Sequence, residues 1–259
     1  MLIKQKIIAL LAATGLVLLA PISVHADGHS LNDNTGDSID FQSWNNVTAI
    51  GKFDSLGITN PKLANFRWWM EGQGRFGNDG TRFSQAIVRP GLGYQVNRTT
   101  QVWLGYAWAP TTAPFASTSF DEQRIWQQLS WADRFKIGPF NPTFALRTRF
   151  EERWVEQWKD PSGDTGYRFR QLARVLIPVP QAPNFGLVLA NEIFVHMNNA
   201  WGASGPHSGF DQNRAFAGGA YTINKFARTE IGYMNQTLNR FGNTNLMDHI
   251  LSTNLFLNF

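Results

Sequence analysis

The sequence predicts an all-β fold: a transmembrane, antiparallel, up-and-down β-barrel of ten or twelve strands. Three observations point there. First, Leu146–Trp154 alternates strictly: Arg147, Arg149, Glu151 and Arg153 fall on one phase, and Leu146, Thr148, Phe150, Glu152 and Trp154 on the other. Successive strand side chains point to opposite faces, so this stretch has one charged face and one largely apolar face. A soluble sandwich would bury the apolar face, whereas a membrane barrel turns it to lipid and keeps charge in the lumen. Second, the chain starts like an exported protein and has no later apolar run long enough for a spanning helix. Only helices and closed barrels satisfy the backbone inside lipid, so a membrane protein of this kind must be a barrel. Third, Leu251, Thr253, Leu255, Leu257 and Phe259 share one phase at the end of the chain, and the last residue is aromatic. Outer-membrane barrels typically finish on such a strand, so Phe259 is the expected assembly signal, read by the barrel assembly machinery.

Residues 1–26 form the expected signal peptide. Lys4 and Lys6 make a basic start, Ile7–Ala20 an apolar core, and Pro21–Ala26 a small-residue end before the cut. The core is too short to span a bilayer comfortably. Residues 27–39 are polar and turn-rich and are expected to be a flexible leader. Residues 40–259 are expected to form one barrel domain. The chain has no Cys, which excludes disulfides and a lipidated cysteine anchor. The 23 Lys and Arg, less Lys4 and Lys6, leave 21 against 19 acidic residues. Such a balance gives no reason to expect nucleic acid as a partner.

The strand-like runs follow in order. Asp40–Phe53 has Trp44 and Val47 but a blurred phase. In Lys62–Phe76, Phe66, Trp68 and Met70 oppose Arg67, Glu71, Gln73 and Arg75, with Trp69 on the polar phase. Gly77–Gly80 is a turn signal. In Arg82–Val96, Ala86, Val88, Leu92 and Tyr94 oppose Gln85, Arg89, Gly91 and Gly93. Val102, Leu104, Tyr106 and Trp108 mark the next run. After the Thr/Ser/Pro-rich stretch 110–120, Glu122, Arg124, Trp126, Gln128 and Ser130 oppose Ile125, Leu129 and Trp131. The Arg/Glu run at 147–153 comes next. Then Arg168, Arg170 and Arg174 oppose Phe169, Ala173, Val175 and Ile177, and Glu192 and His196 oppose Leu187, Leu189, Ile193 and Val195. Runs around Arg214, around Arg228 and Glu230, and up to Phe259 complete about eleven. Short and long connections alternate from the third run onward, which places the C-terminus on the periplasmic side. The first run then points the wrong way for an even count.

The segments Asp40–Trp44, Arg89–Tyr94, Leu104–Trp108, the 147–153 strand, Phe210–Arg214 and Glu230–Tyr233, in this order, resemble the proteobacterial outer-membrane β-barrel family catalogued as domain of unknown function 2490. The resemblance covers nearly the whole mature chain. It implies a barrel in the outer membrane of a Gram-negative bacterium, in contact with outer-membrane lipids, and no assigned activity.

Candidate chemistry is sparse. Barrel lipid hydrolases use a His and a Ser two apart on one strand. Here His196 is followed by Met197 and Asn198, and an amide is no nucleophile. No catalytic residue is therefore expected, and an outer-membrane lipid hydrolase is the least favoured alternative. His29, His207 and His249 are scattered, so no metal site is expected. Gly91-Leu92-Gly93 lacks the Lys-Ser/Thr of a phosphate loop. No cofactor is expected.

What remains is a lumen charge network of Glu71, Arg89, Glu122, Arg124, Arg147, Arg149, Glu151, Arg153, Arg168, Arg170, Arg174, Glu192, Arg214, Arg228 and Glu230. Small barrels fill their interior with side chains. The leading expectation is a barrel locked shut by Arg–carboxylate pairs, with a structural or interaction role. The alternative is a narrow anion-favouring pore or small-ligand transporter, since Arg outnumbers Glu in that set. A small anionic solute is then the expected soluble partner.

Overall fold

A computed structural model describes residues 38–155, 165–202, 205–240 and 244–259. The expected signal peptide and the leader up to residue 37 lie outside these. The described chain is almost entirely strand: β1 (Ser38–Lys52), β2 (Phe66–Gly77), β3 (Arg82–Gln95), β4 (Thr100–Thr111), β5 (Phe120–Arg134), β6 (Thr143–Val155), β7 (Gly166–Val179), β8 (Ala182–His196), β9 (Gly209–Asn224), β10 (Ala227–Arg240) and β11 (Thr244–Asn258). Two short 3-10 turns, Phe53–Leu56 and Pro61–Leu63, lie between β1 and β2. The blurred first run is a full strand of 15 residues, and it starts two residues earlier than expected, at Ser38.

The strands close into one barrel of eleven, between the two even counts expected. All sequential neighbours are antiparallel, but β1 and β11 pair in parallel, from Ser38↔Leu246 to Ile50↔Asn258. An odd number of alternating strands makes the first and last point the same way, so the seam can only be parallel. The barrel is therefore mixed rather than purely antiparallel. Closure leaves no free strand edge. Phe259 completes the seam: Lys52 N–H donates to its carbonyl at 3.1 Å, and its own N–H donates to Ile50 O at 2.9 Å. Its ring stacks near Trp68 and Phe226.

The seam also puts the two ends of the barrel chain at opposite rims. Ser38 lies at the rim with the 112–119 and 197–208 connections, whereas Phe259 lies at the rim with the two-residue turns 180–181 and 225–226. A tight turn at the long-loop rim is Asn78-Asp79-Gly80. Its three residues have φ of 54°, 57° and 71°, the left-handed region that Asn, Asp and Gly tolerate and right-twisted hairpins need. Asp40 accepts the Asn78 and Asp79 backbone N–H groups, each at 3.3 Å, and ties β1 to this turn.

The two faces of the sheet differ as the alternation requires. Outward side chains such as Val88, Leu92, Leu104, Leu146, Leu187 and Ile231 are exposed, as are Tyr94, Trp108, Tyr167 and Tyr221 nearer the strand ends. The core lies inside the barrel. One apolar cluster joins Ile87, Trp103, Ala107, Ala109 and Trp126, with Ile50 and Trp69 against it. A second joins Trp44, Met234 and Ile250, with Phe216 against it. Trp126 has no exposed surface, and it donates to Tyr106 O at 3.1 Å. It fits because β3 and β4 carry glycine beneath it: a Cβ at Gly105 would lie 2.3 Å from the indole and 2.5 Å from Pro90 O, and one at Gly91 would lie 2.7 Å from the same ring.

Two outcomes are expected. In the naturally Cys-free chain, Asn45→Cys with Thr253→Cys, paired across the parallel seam, should form a disulfide on oxidation and keep the barrel closed on heating. Failure to cross-link in the refolded barrel would contradict parallel closure. Gly105→Val should lower stability by about 1–3 kcal/mol or block folding, because the backbone of β3 cannot yield as a flexible side chain would. Urea unfolding in detergent, followed by Trp fluorescence, measures it.

Candidate functional site in the lumen

Charged residues on the inward phase meet in the middle of the barrel because neighbouring strands place them in register. Arg124 pairs with Arg153 across β5/β6, Glu151 with Arg168 across β6/β7, and Arg168 with His196 across β7/β8. Glu151 is the centre. Its side chain has no exposed surface, and both oxygens accept charged bonds. Arg168 donates through Nε and Nη2 to Oε2 at 3.0 and 2.6 Å, and Arg170 donates to Oε1 at 2.6 Å. Arg149, also fully buried, lies 3.9 Å from Glu151 and donates to Gln128 Oε1 at 2.8 and 2.5 Å. Its guanidinium stacks 4.7 Å over Trp126, joining the charge network to the first apolar cluster.

Two further carboxylates extend this centre. Glu192 accepts from Arg170 at 3.0 and 2.8 Å and from Arg147 at 2.8 Å. Glu122, nearer the long-loop rim, accepts from Arg124 at 2.9 and 2.8 Å and from Arg153. On the opposite wall, Glu71 accepts from Arg89 at 2.7 Å, from Trp69 Nε1 at 3.2 Å and from Gln73. Nearer the short-turn rim, Arg174 reaches from β7 over β8 and β9 to Glu230 on β10, with Arg228 at 3.1 Å. Among the described residues Arg214 makes no such pair; glutamines hold it, as described below. Thus all fifteen residues singled out by alternation lie inside the barrel, and fourteen of them make Arg–Glu contacts.

Alternation left out several groups that stand among them. Asp211 lies at an irregularity between β8 and β9, where the register shifts between Phe194 and Val195. It contacts His196 Nε2 at 3.2 Å and Arg168 at 3.5 Å. Of the inward aromatics, Trp69 and Trp126 fall on the polar phase in the sequence, whereas Trp44, Trp103 and Phe194 are not distinguished there; none belongs to the charge set. Arg168, Arg170 and Arg214 lie 4.4–5.3 Å over the Phe194 ring. The glycines Gly91, Gly93 and Gly105, on strands adjacent to these indoles, were the signal that could have found them: a Cβ at Gly93 would sit 2.4 Å from Trp103.

Above the network is a cavity of about 1140 Å³. It runs from rim residues Asn78, Pro114, Phe115 and Ser208 down to Arg89, Arg124, Arg170 and Phe194. His196 lines it, with Asp211 and Arg153 at its Nε2. Of the other histidines, His207 lines the same cavity and His249 faces outward against the Tyr233 hydroxyl; His29 lies outside the described residues. Among the described residues, no three His, Asp or Glu side chains group so as to hold a metal ion. No described helix is long and apolar enough to cross a membrane, which says nothing of strands.

Comparison with known proteins gives a family and no activity. The family described as "Protein of unknown function (DUF2490)" matches residues 41–247. An uncharacterized protein of Methylorubrum extorquens is 33% identical over 225 residues, covering 85% of this chain and 88% of its own. No solved structure matches. The chain belongs to this family of unknown function.

Glu151→Gln should be the most damaging single change in the network. It keeps the shape but removes the carboxylate that Arg168 and Arg170 share, leaving them only Asp211 and Glu192 as acidic partners, a loss on the order of 3–5 kcal/mol. Glu152→Gln, on the outward phase of the same strand, should change stability by less than about 1 kcal/mol. Urea midpoints of the two variants, measured side by side, check the difference.

Proposed function

We infer that this member of the family is an outer-membrane β-barrel of a Gram-negative bacterium, exported through the periplasm, with a lumen closed to free passage and a non-catalytic structural or interaction role. The observation that carries the reading is the reversal of the two faces. Large apolar side chains are exposed around the outside, while arginines and glutamates are buried within. Water would not favour that distribution over so large a continuous surface; a hydrocarbon layer would. Exposed Tyr94 and Tyr221 near one rim and Trp108 and Tyr167 near the other suit the two bilayer interfaces. Phe259 sits at the short-turn rim, the side expected to face the periplasm and the assembly machinery.

The closed lumen rests on three side chains with no exposed surface, Trp126 of the first apolar cluster, Arg149 stacked over it, and Glu151 beside Arg149. Ion passage would require breaking these contacts. A second reading, an anion-favouring pore or small-ligand transporter, draws support from the surplus of guanidinium over carboxylate, seen at Arg75 and Arg214. The hydrolase alternative has less support: among the described contacts, no serine hydroxyl bonds to His196, whose Nε2 is already turned to Asp211.

The refolded protein, with its barrel verified by a heat-dependent gel shift, should be silent in a planar bilayer. Arg149→Ala combined with Trp126→Ala should admit ions. Steady anion-selective current from the unaltered chain would replace this reading with the second. A single cysteine at Ser117, in the long β4–β5 connection, should react with a membrane-impermeant maleimide on intact cells; labelling only after lysis would argue against the location and orientation.

A further inference from the structure

We propose that the rim cavity is a binding site for a small solute carrying two or more anionic oxygens, such as a phosphate or a dicarboxylate, held by Arg75 and Arg214. This rests on the cavity geometry alone and requires neither a closed lumen nor a membrane.

The two guanidiniums differ from those below them. Glu71, Glu122, Glu151, Glu192 and Glu230 hold the other lumenal arginines described above. Among the described residues, neither Arg75 nor Arg214 has a carboxylate oxygen within 4 Å. Glutamines hold them instead. Arg75 donates to Gln85 Oε1 at 2.8 Å and to Gln73 Oε1 at 2.9 Å. Arg214 donates to Gln236 Oε1 at 2.7 Å and to Gln212 Oε1 at 3.3 Å. The amide nitrogens are engaged in turn: Gln85 bonds Thr111, Gln236 bonds Asp248, and Gln73 bonds Glu71. Each amide is therefore fixed in orientation, with its carbonyl to the guanidinium. Such a clamp positions a cation without cancelling its charge.

Both cations also lie on one indole. The Arg75 guanidinium carbon is 3.7 Å from the Trp44 ring centre and that of Arg214 is 4.8 Å away. An aromatic face attracts a cation but carries no net charge, so it anchors without neutralising. The result is two like charges held on one ring at the wall of a cavity that reaches the rim. Among the described residues, Arg75 Nε is buried with no hydrogen-bond partner, so a donor is left over. The nearby carboxylates are engaged elsewhere: Glu192, across the strand pair from Arg214, with Arg147 and Arg170; Glu122 with Arg124 and Arg153; Asp211 with His196 and Arg168; and Asp248 with Gln236.

The chemistry of the missing partner follows. A guanidinium offers parallel N–H donors that match the paired oxygens of phosphate or carboxylate. Two guanidiniums favour a dianion over a monoanion, and chloride cannot use the fork. The site faces the long-loop rim, so the solute would enter from that side.

Calorimetry on the refolded protein in detergent tests this with pyrophosphate and with succinate, in chloride buffer. Saturable binding of at least one is expected, and which one binds separates phosphate from carboxylate recognition. Arg75→Gln and Arg214→Gln should each weaken it ten-fold or more, while Arg98→Gln, at the opposite rim and paired with Asp133, should not. Should either lumenal variant fail to refold, phenylglyoxal modification of the unaltered protein supplies the answer, since the bound probe should shield Arg75 and Arg214. No saturable binding of either probe, or affinities and modification unchanged at these two positions, would overturn the proposal.

Discussion

A carboxylate with no exposed surface at the centre of a barrel is the constraint on which the rest of this structure depends. Glu151 could not remain charged there unless cations met it, and Arg168 and Arg170 do so with three bonds of 2.6–3.0 Å. Those arginines need partners for their remaining donors, which brings in Glu192 and Asp211 and through them β8 and β9. Each added ion satisfies one group and imports another, so the network spreads until it reaches the apolar clusters on one side and the cavity on the other. Buried ion pairs are poor sources of net stability, since desolvation consumes most of their attraction. What they supply is register. Sliding β7 by one residue against β6 would turn Arg168 and Arg170 outward and strand Glu151, a far larger penalty than losing a few apolar contacts.

The parallel seam follows a similar logic of completeness. Closing ten strands of this chain would have left β1 or β11 outside the barrel with its backbone unpaired; eleven take in both, at the cost of one parallel pair. Parallel bonds are slightly weaker per residue than antiparallel ones. The seam compensates by length, thirteen register positions, and by Phe259, whose backbone bonds both Ile50 and Lys52. The odd count also fixes geography. With Phe259 at the short-turn rim, Ser38 must lie beside the long loops, and Asp40 there holds the Asn78–Gly80 turn.

The sequence made the two faces legible and left the contents of the lumen half-read, for a physical reason. Alternation records which side of the sheet a residue occupies, and a charge is unambiguous evidence of that side. Hence the sequence alone puts Arg147, Arg149, Glu151 and Arg153 on the inner face. An indole is ambiguous: Trp69, Trp103 and Trp126 sit on the inward phase because a filled barrel needs bulk as well as charge. Their partners in the sequence are Gly91, Gly93 and Gly105, a size complement that period-two reading does not weigh. The first strand was blurred because Ser43 and Asn45 are polar on its outward phase, so its two faces scarcely differ. Asp211 was missed because an irregularity shifts the register just before it.

The same distinction explains why the cavity could not be foreseen and why its chemistry differs from the network's. Along the chain, Arg75 and Arg214 look like Arg89 or Arg170, each one more cation on the inward phase. What separates them is the acceptor each guanidinium meets, an amide oxygen in place of a carboxylate. Arg75 faces and bonds Gln85 where Arg89 faces and bonds Glu71; Arg214 stands between Glu192 on β8 and Gln236 on β10 and donates to the glutamine, while Arg147 and Arg170 take Glu192. Exchanging Glu for Gln at such a position barely changes shape or hydrogen bonding and removes one negative charge. A barrel whose only requirement was a sealed interior would gain from carboxylates there, because each would neutralise a cation next to it. Glutamine at these positions keeps the guanidiniums oriented and charged, a condition a plug does not need and an anion site does.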